Sequence, residues 1–141
     1  MAPELVPLCV ATVHLKPPIL MPGTPAGTRI IVEVDTWDVT GERINATAKG
    51  TGGADWLTVA PDGTFGTVDV RASWETDDGA AIFVQYNGRI DLSQQPPSVY
   101  SAPRFDTGDE RYAWLNRVQA VAKGDVSADM STIVYDMYEV R

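Results

Sequence analysis

The sequence predicts an all-β protein, a single domain over residues 1–141 built as an antiparallel up-and-down β-barrel of eight to nine strands with little helix. Three observations predict it. Ten prolines and twelve glycines punctuate the chain at short intervals. Between them, β-branched and aromatic residues alternate with polar ones, the period of a strand with one buried face. The punctuating signals are short, so sequence neighbours pair antiparallel. A sheet of this size must cover its apolar face, and closing on itself also removes its exposed edges. A two-sheet sandwich is the alternative.

The elements follow in order. Leu5 to Leu15 is the first strand. Lys16 to Gly27 carries four prolines and two glycines and reads as a loop. Thr28 to Thr40 is a long strand, with Ile30, Val32 and Val34 on one face and Arg29, Glu33 and Asp35 on the other. Glu42 to Lys49 alternates again. Gly50-Thr51-Gly52-Gly53 reads as a flexible turn, followed by a short strand from Asp55 to Ala60. Pro61-Asp62-Gly63 is a turn in which proline presets φ and glycine accepts a positive one. Thr64 to Glu75 is the clearest strand: Val68, Val70, Ala72 and Trp74 share one face, and Asp69, Arg71, Ser73 and Glu75 the other. Thr76 to Gly79 closes a hairpin onto Ala80 to Asn87, where Ile82, Val84 and Tyr86 align. Asp91 to Ser98 is a polar loop, Val99 to Phe105 is extended, and Asp106 to Arg111 turns. Tyr112 to Asn116 is either one helical turn or the start of a strand. Arg117 to Lys123 alternates, Gly124 to Met130 turns, and Ser131 to Val140 is the last strand.

Composition narrows the function classes. With 44% hydrophobic and 21% charged residues the chain is ordinary globular protein. A net charge of −8 repels nucleic-acid phosphates and anionic lipid, so neither is expected as a partner. No apolar run approaches the ~20 residues of a membrane helix. The single cysteine, Cys9, forms no internal disulfide and reads as a small buried hydrophobe. The apolar start is broken by Pro7 and lacks a basic leader, so a signal peptide is not expected and the cytoplasm is the expected location. One histidine, His14, and no Cys/His cluster argue against a zinc site or a histidine-based triad. No phosphate-binding glycine motif precedes a helix, so no nucleotide cofactor is expected.

Strand parity then singles out polar residues that point inward. Asp55 shares parity with Leu57 and Val59, Tyr86 with Ile82 and Val84, and Asn116 with Val118, Ala120 and Ala122. A carboxylate in an apolar pocket takes a raised pKa and suits a general acid or base. A tyrosine hydroxyl and an asparagine amide suit an enolate or carbonyl oxygen. Asp55, Tyr86 and Asn116 are therefore the candidate catalytic residues, with Trp74, Trp114, Tyr112, Tyr138 and Arg104 as candidate ligand contacts. The competing reading is structural: Asp55 follows a glycine turn and can accept backbone N–H bonds there, while Tyr86 and Asn116 can be satisfied within a packed core. Trp37 has outward parity and suits a homodimer contact; Trp56, opposite in parity to Asp55, also lies outside.

Several motifs occur in one order: Gly-Gly-Ala-Asp-Trp (52–56), Pro-Asp-Gly (61–63), Val-Arg-Ala (70–72), Glu-Thr-Asp-Asp-Gly-Ala (75–80), Ala-Pro-Arg-Phe-Asp-Thr-Gly (102–108), Arg-Tyr-Ala-Trp-Leu-Asn-Arg (111–117) and Val-Tyr-Asp-Met-Tyr-Glu-Val (134–140). Together they resemble the bacterial and fungal family known as DUF3237, or UPF0311, across nearly the whole chain. The resemblance implies a small single-domain β-barrel and supplies no reaction. An eight-stranded barrel of lipocalin or streptavidin type either fills with side chains or holds one small ligand. Three readings remain open: a cofactor-independent isomerase, cyclase or lyase acting on a small organic molecule; a carrier or sensor of an apolar or aromatic ligand; and a structural module with a filled interior.

Overall fold

Alternation along the chain produces ten strands, seen in a computed structural model that describes residues 1–141. They are β1 (Leu5–Leu15), β2 (Ile19–Thr24), β3 (Gly27–Thr40), β4 (Ala46–Val59), β5 (Phe65–Thr76), β6 (Ala81–Asp91), β7 (Ser98–Ser101), β8 (Arg104–Asp106), β9 (Ala120–Val126) and β10 (Thr132–Val140). A 3-10 helix, Glu110–Arg117, lies between β8 and β9. Antiparallel pairing runs β1-β10-β9-β7-β6-β5-β4-β3, and β3 returns to β1, closing an eight-stranded barrel with two extra strands. The extra strands arise from breaks. Lys16-Pro17-Pro18 splits β1 from β2, which continues along β3. Ala102-Pro103 splits β7 from β8, and both pair with β6. Prolines cannot donate to a ladder, so they mark these interruptions. No helix is long and apolar enough to cross a membrane.

The strand from Phe65 to Thr76 has the predicted faces: Val68, Val70, Ala72 and Trp74 are buried, and Arg71 is exposed. Elsewhere two bulges change what parity predicts. In β3 the pairing with β1 slips by one residue between Val34 and Thr36. The slip reverses the inward phase, because the side-chain period is two. Trp37 is consequently buried inside the barrel at 2% exposure, where parity counted from Ile30 placed it outside; it presents no exposed aromatic surface for a dimer. In β4 the stretch Gly50–Gly53 is not a turn. It is a bulge within one continuous strand, advancing five positions from Ala48 to Gly53 while β5 advances two, from Trp74 to Ala72. Gly53 adopts φ +108, and a Cβ there would sit 2.0 Å from the Arg71 carbonyl oxygen, so only glycine fits. The stretch expected as a loop, Lys16 to Gly27, contains β2, and Gly124 lies within β9 rather than in the turn after it.

The two ends of the barrel differ. At one end the 3-10 helix buries Tyr112 and Leu115, beside the β3–β4 and β5–β6 turns. Above it Trp74 packs between Trp37 (ring centroids 5.5 Å apart) and Phe105 (6.0 Å). The opposite end stays open.

Candidate functional site

The open end leads into a cavity of about 450 Å³, within the range of small-molecule sites. Eighteen of its twenty-four lining residues are hydrophobic, which makes the polar minority informative. Within the barrel the polar groups are the Asp55 carboxyl and the hydroxyls of Tyr86 and Tyr135, two rings counted among the eighteen; Lys16, Asp129 and Ser131 lie at the rim.

Register explains how Asp55 and Tyr86 come together. Val32 in β3 faces Asp55 in β4, Asp55 faces Val70 in β5, and Val70 faces Tyr86 in β6. Directly opposed residues share a face, so the four form one lateral row on the inner wall. The β4 bulge launches the strand in the phase that turns Asp55 inward. It also offers the Gly52 carbonyl, which accepts the Trp37 indole N–H at 3.0 Å and fixes that ring at the cavity floor.

Asp55 sits in an opening of the sheet. The β4–β5 ladder lapses where Trp56 and Leu57 pass Val68 and Asp69, and the Asp69 N–H donates to Asp55 Oδ1 at 2.9 Å. At the same point of β4 the Trp56 carbonyl accepts from the Arg29 guanidinium of β3 at 3.1 Å. Burial pushes the Asp55 carboxyl up to about 6, the Asp69 N–H bond offsets part of that rise, and the Asp69 charge adds to it. Trp56 projects outward as expected, with the Arg71 guanidinium 5.4 Å from its ring centroid.

Tyr86 meets Tyr135 of β10 edge to face, with centroids 5.6 Å apart and planes at 68°. Burial raises both phenols well above the ordinary tyrosine range, and the Asp55 charge adds to each shift. Both therefore remain protonated donors at neutral pH. Tyr135 owes its seat to Gly124 on β9: a Cβ at that position would lie 2.6 Å from Tyr135 Cε1.

The remaining sequence candidates lie elsewhere. Asn116 is exposed in the 3-10 helix. Its Oδ1 accepts the Thr107 N–H at 2.8 Å, and its amide donates to the Thr107 carbonyl at 3.0 Å. The alternation that begins at Val118 does not extend back into a helical segment, so the expected inward parity fails. Trp74 does face inward, but it is core beneath the cavity and not part of its wall. Tyr112 donates its hydroxyl to Asp78 Oδ1 at 2.8 Å at the closed end. Trp114 lies under the Arg43 guanidinium, 4.7 Å from its centroid. Arg104 is exposed and bridges to Gln119, and Tyr138 lies on the outer face of β10. Sequence reasoning missed Tyr135 and Trp37. For Tyr135 the signal was present: Asp136 between Tyr135 and Met137 marks the odd positions of β10 as inward. For Trp37 the bulge leaves no comparable signal.

Other proteins resemble this chain in sequence and in architecture. Residues 3–140 match the family described as "Protein of unknown function (DUF3237)". The chain is 31% identical over 131 residues to a UPF0311 protein of Bradyrhizobium diazoefficiens, with 83% of each chain covered. Among solved structures it resembles a beta-barrel like protein from Acinetobacter baumannii (TM-score 0.88, 26% identity, 100% of this chain and 98% of that one). It also shares its fold with an enzyme from Penicillium herquei (TM-score 0.77, 24% identity, 100% and 96% covered). On its sequence match and its shared barrel, the chain belongs to the DUF3237 family.

Proposed function

We propose that the barrel binds a small, largely apolar organic molecule and carries out proton-transfer chemistry on it without a cofactor, as an isomerase, cyclase or lyase does. One observation carries this reading: the one carboxyl inside the barrel, brought to about 6 by burial, shares a mainly apolar cavity with two protonated phenols. A base poised near the working pH combines an available charged form with useful driving force. Asp55 takes a proton from carbon next to a carbonyl. The electrons move onto the carbonyl oxygen, and Tyr86 and Tyr135 donate hydrogen bonds to the enolate that forms. Return of the proton to another carbon isomerises the compound; loss of a β-substituent eliminates it. No arginine lines the cavity, and Asp55 opposes a second negative charge, so the ligand is neutral at its inner end. That the same fold supports an enzyme in Penicillium herquei is compatible with catalysis, but the reading rests on this chain's own residues.

The test is deuterium exchange. A panel of neutral apolar ketones is incubated with the protein in D2O and followed by NMR for loss of α-protons. Exchange by wild type and none by Asp55→Asn, with binding retained, is the expected result. Equal exchange in both proteins removes Asp55 from the mechanism. A second reading, a carrier or sensor, draws on the Asp69 N–H bond, which gives Asp55 a purely structural task. Binding with no exchange in wild type supports it.

A further inference from the structure

Every positive-φ residue in the chain is a glycine except Met130, at φ 63. It stands in the β9–β10 turn, where the Met130 N–H closes onto the Ser127 carbonyl at 2.9 Å and Ser127 N–H pairs with the Thr132 carbonyl at 2.8 Å. A tight hairpin turn of this build ends in a left-handed residue, and glycine is the usual occupant. Asp129 makes the turn rigid: its Oδ1 accepts from the Ser127 and Ser131 hydroxyls, both at 2.7 Å, and from the Ser131 N–H at 3.1 Å. The chain thus holds a methionine in a conformation that disfavours any side chain. Met130 is also 46% exposed while lining the cavity, which places it at the rim. Pro17, Pro18 and Leu20 also line the mouth, on the segment that parts from β10 after Leu15 and runs on along β3, and the Leu15 N–H donates to the Ser131 carbonyl at 2.8 Å where the two segments separate.

We infer that Met130 is the portal residue of the cavity: its flexible side chain, held over the entrance by the rigid turn, sets how fast and how large a ligand enters and leaves. A methionine suits this position, being apolar, unbranched and adaptable in shape. The turn needs only a left-handed residue, so a structural role alone would favour glycine.

The inference rests on the cavity being a ligand site, and the test separates the two. Binding of the neutral fluorophore N-phenyl-1-naphthylamine is followed by stopped-flow fluorescence. Met130→Ala and Met130→Gly are expected to raise both association and dissociation rates by about threefold or more with affinity within about twofold, while Met130→Leu keeps wild-type rates. Met130→Gly alone should also raise the melting temperature, because only it relieves the left-handed strain. Val70→Phe and Val99→Phe, which fill the cavity, serve as blocking variants, each checked by melting. Unchanged rates in the Ala and Gly variants, with either folded blocking variant abolishing binding, overturn the portal and leave the cavity reading intact. No binding to wild type, or binding that survives both blocks, overturns the cavity reading and the portal with it.

Discussion

Asp55 and Tyr86 flank Val70 on a single row of the inner wall, one strand to either side, and Tyr135 closes on Tyr86 from across the barrel. A carboxyl and two phenols thus share a water-poor space in which the carboxyl is destabilised as an anion. Such an arrangement costs folding stability, and that cost is measurable.

Asp55→Asn should stabilise the protein in a pH-dependent way. The folded carboxyl titrates near 6, above its ordinary 3.8, so between those values the native state holds more protons than the unfolded chain. Stability therefore falls as pH rises through this window, by up to about 3 kcal/mol for a shift of about two units. Asparagine keeps the oxygen that accepts the Asp69 N–H and removes the charge. Urea denaturation at pH 7.5 should show the variant more stable by ~1–3 kcal/mol, with the difference gone below about pH 4. A variant less stable than wild type at pH 7.5 would mean that the carboxylate anchors the sheet opening rather than burdening it. If Asp55 is the base, exchange of ketone α-protons should rise with pH through about 6 in wild type.

Gly124→Ala tests the seat of Tyr135. A methyl group there meets the ring at 2.6 Å and also crowds Ile133. Overpacking of this kind costs ~1–3 kcal/mol. The penalty should shrink markedly in a Tyr135→Ala background, a non-additivity that a double-mutant cycle reads directly. Tyr135→Phe, which keeps the ring and removes only the hydroxyl, should change stability by less than about 1 kcal/mol and weaken the exchange reaction. Additive penalties in the cycle would show that Gly124 is needed for something other than the ring.

How much of this was legible in the sequence depends on where strands stay regular. The Phe65–Thr76 strand pairs with β6 without a slip, and parity placed all four of its inward residues correctly. Tyr86 lies on the partner strand and was placed correctly for the same reason. Asp55 was placed correctly because counting began beyond the glycines, downstream of the bulge. Trp37 was misplaced because one inserted residue near Asp35 inverts every position after it, and a bulge built of ordinary residues leaves no mark in composition. Asn116 was misplaced because the Asp109 cap, which accepts the Arg111 N–H, starts a 3-10 helix there in place of a strand. The pairing across the barrel of Tyr86 with Tyr135 depends on closure, and no local pattern encodes it.

Gly53→Ala should be the most damaging small substitution in the barrel. The added methyl would overlap the Arg71 carbonyl at 2.0 Å, and φ +108 is closed to alanine. Both effects act on the bulge that directs Asp55 inward and supplies the acceptor for Trp37. Loss of ~3 kcal/mol or more is expected, enough to leave a domain of this size marginal at 25 °C. Gly50→Ala, in the same bulge at φ 61 but with no atom within 4 Å of the added methyl, should cost only ~1–2 kcal/mol. Equal losses would show that left-handed backbone, and not the close approach to β5, is what the bulge requires.

Asn116→Ala separates the helix tether from the cavity. The side chain bonds both main-chain groups of Thr107 and tethers the start of the loop to the end of the 3-10 helix. Removing two such bonds at an exposed site should cost ~1–2 kcal/mol, read from the urea midpoint. Dye affinity and ketone exchange should stay at wild-type values, because the cavity wall is formed by other residues and its mouth lies at the other end of the barrel. A large loss of exchange with the fold intact would return Asn116 to the site. It would also require the closed end of the barrel, and not only the open one, to communicate with Asp55.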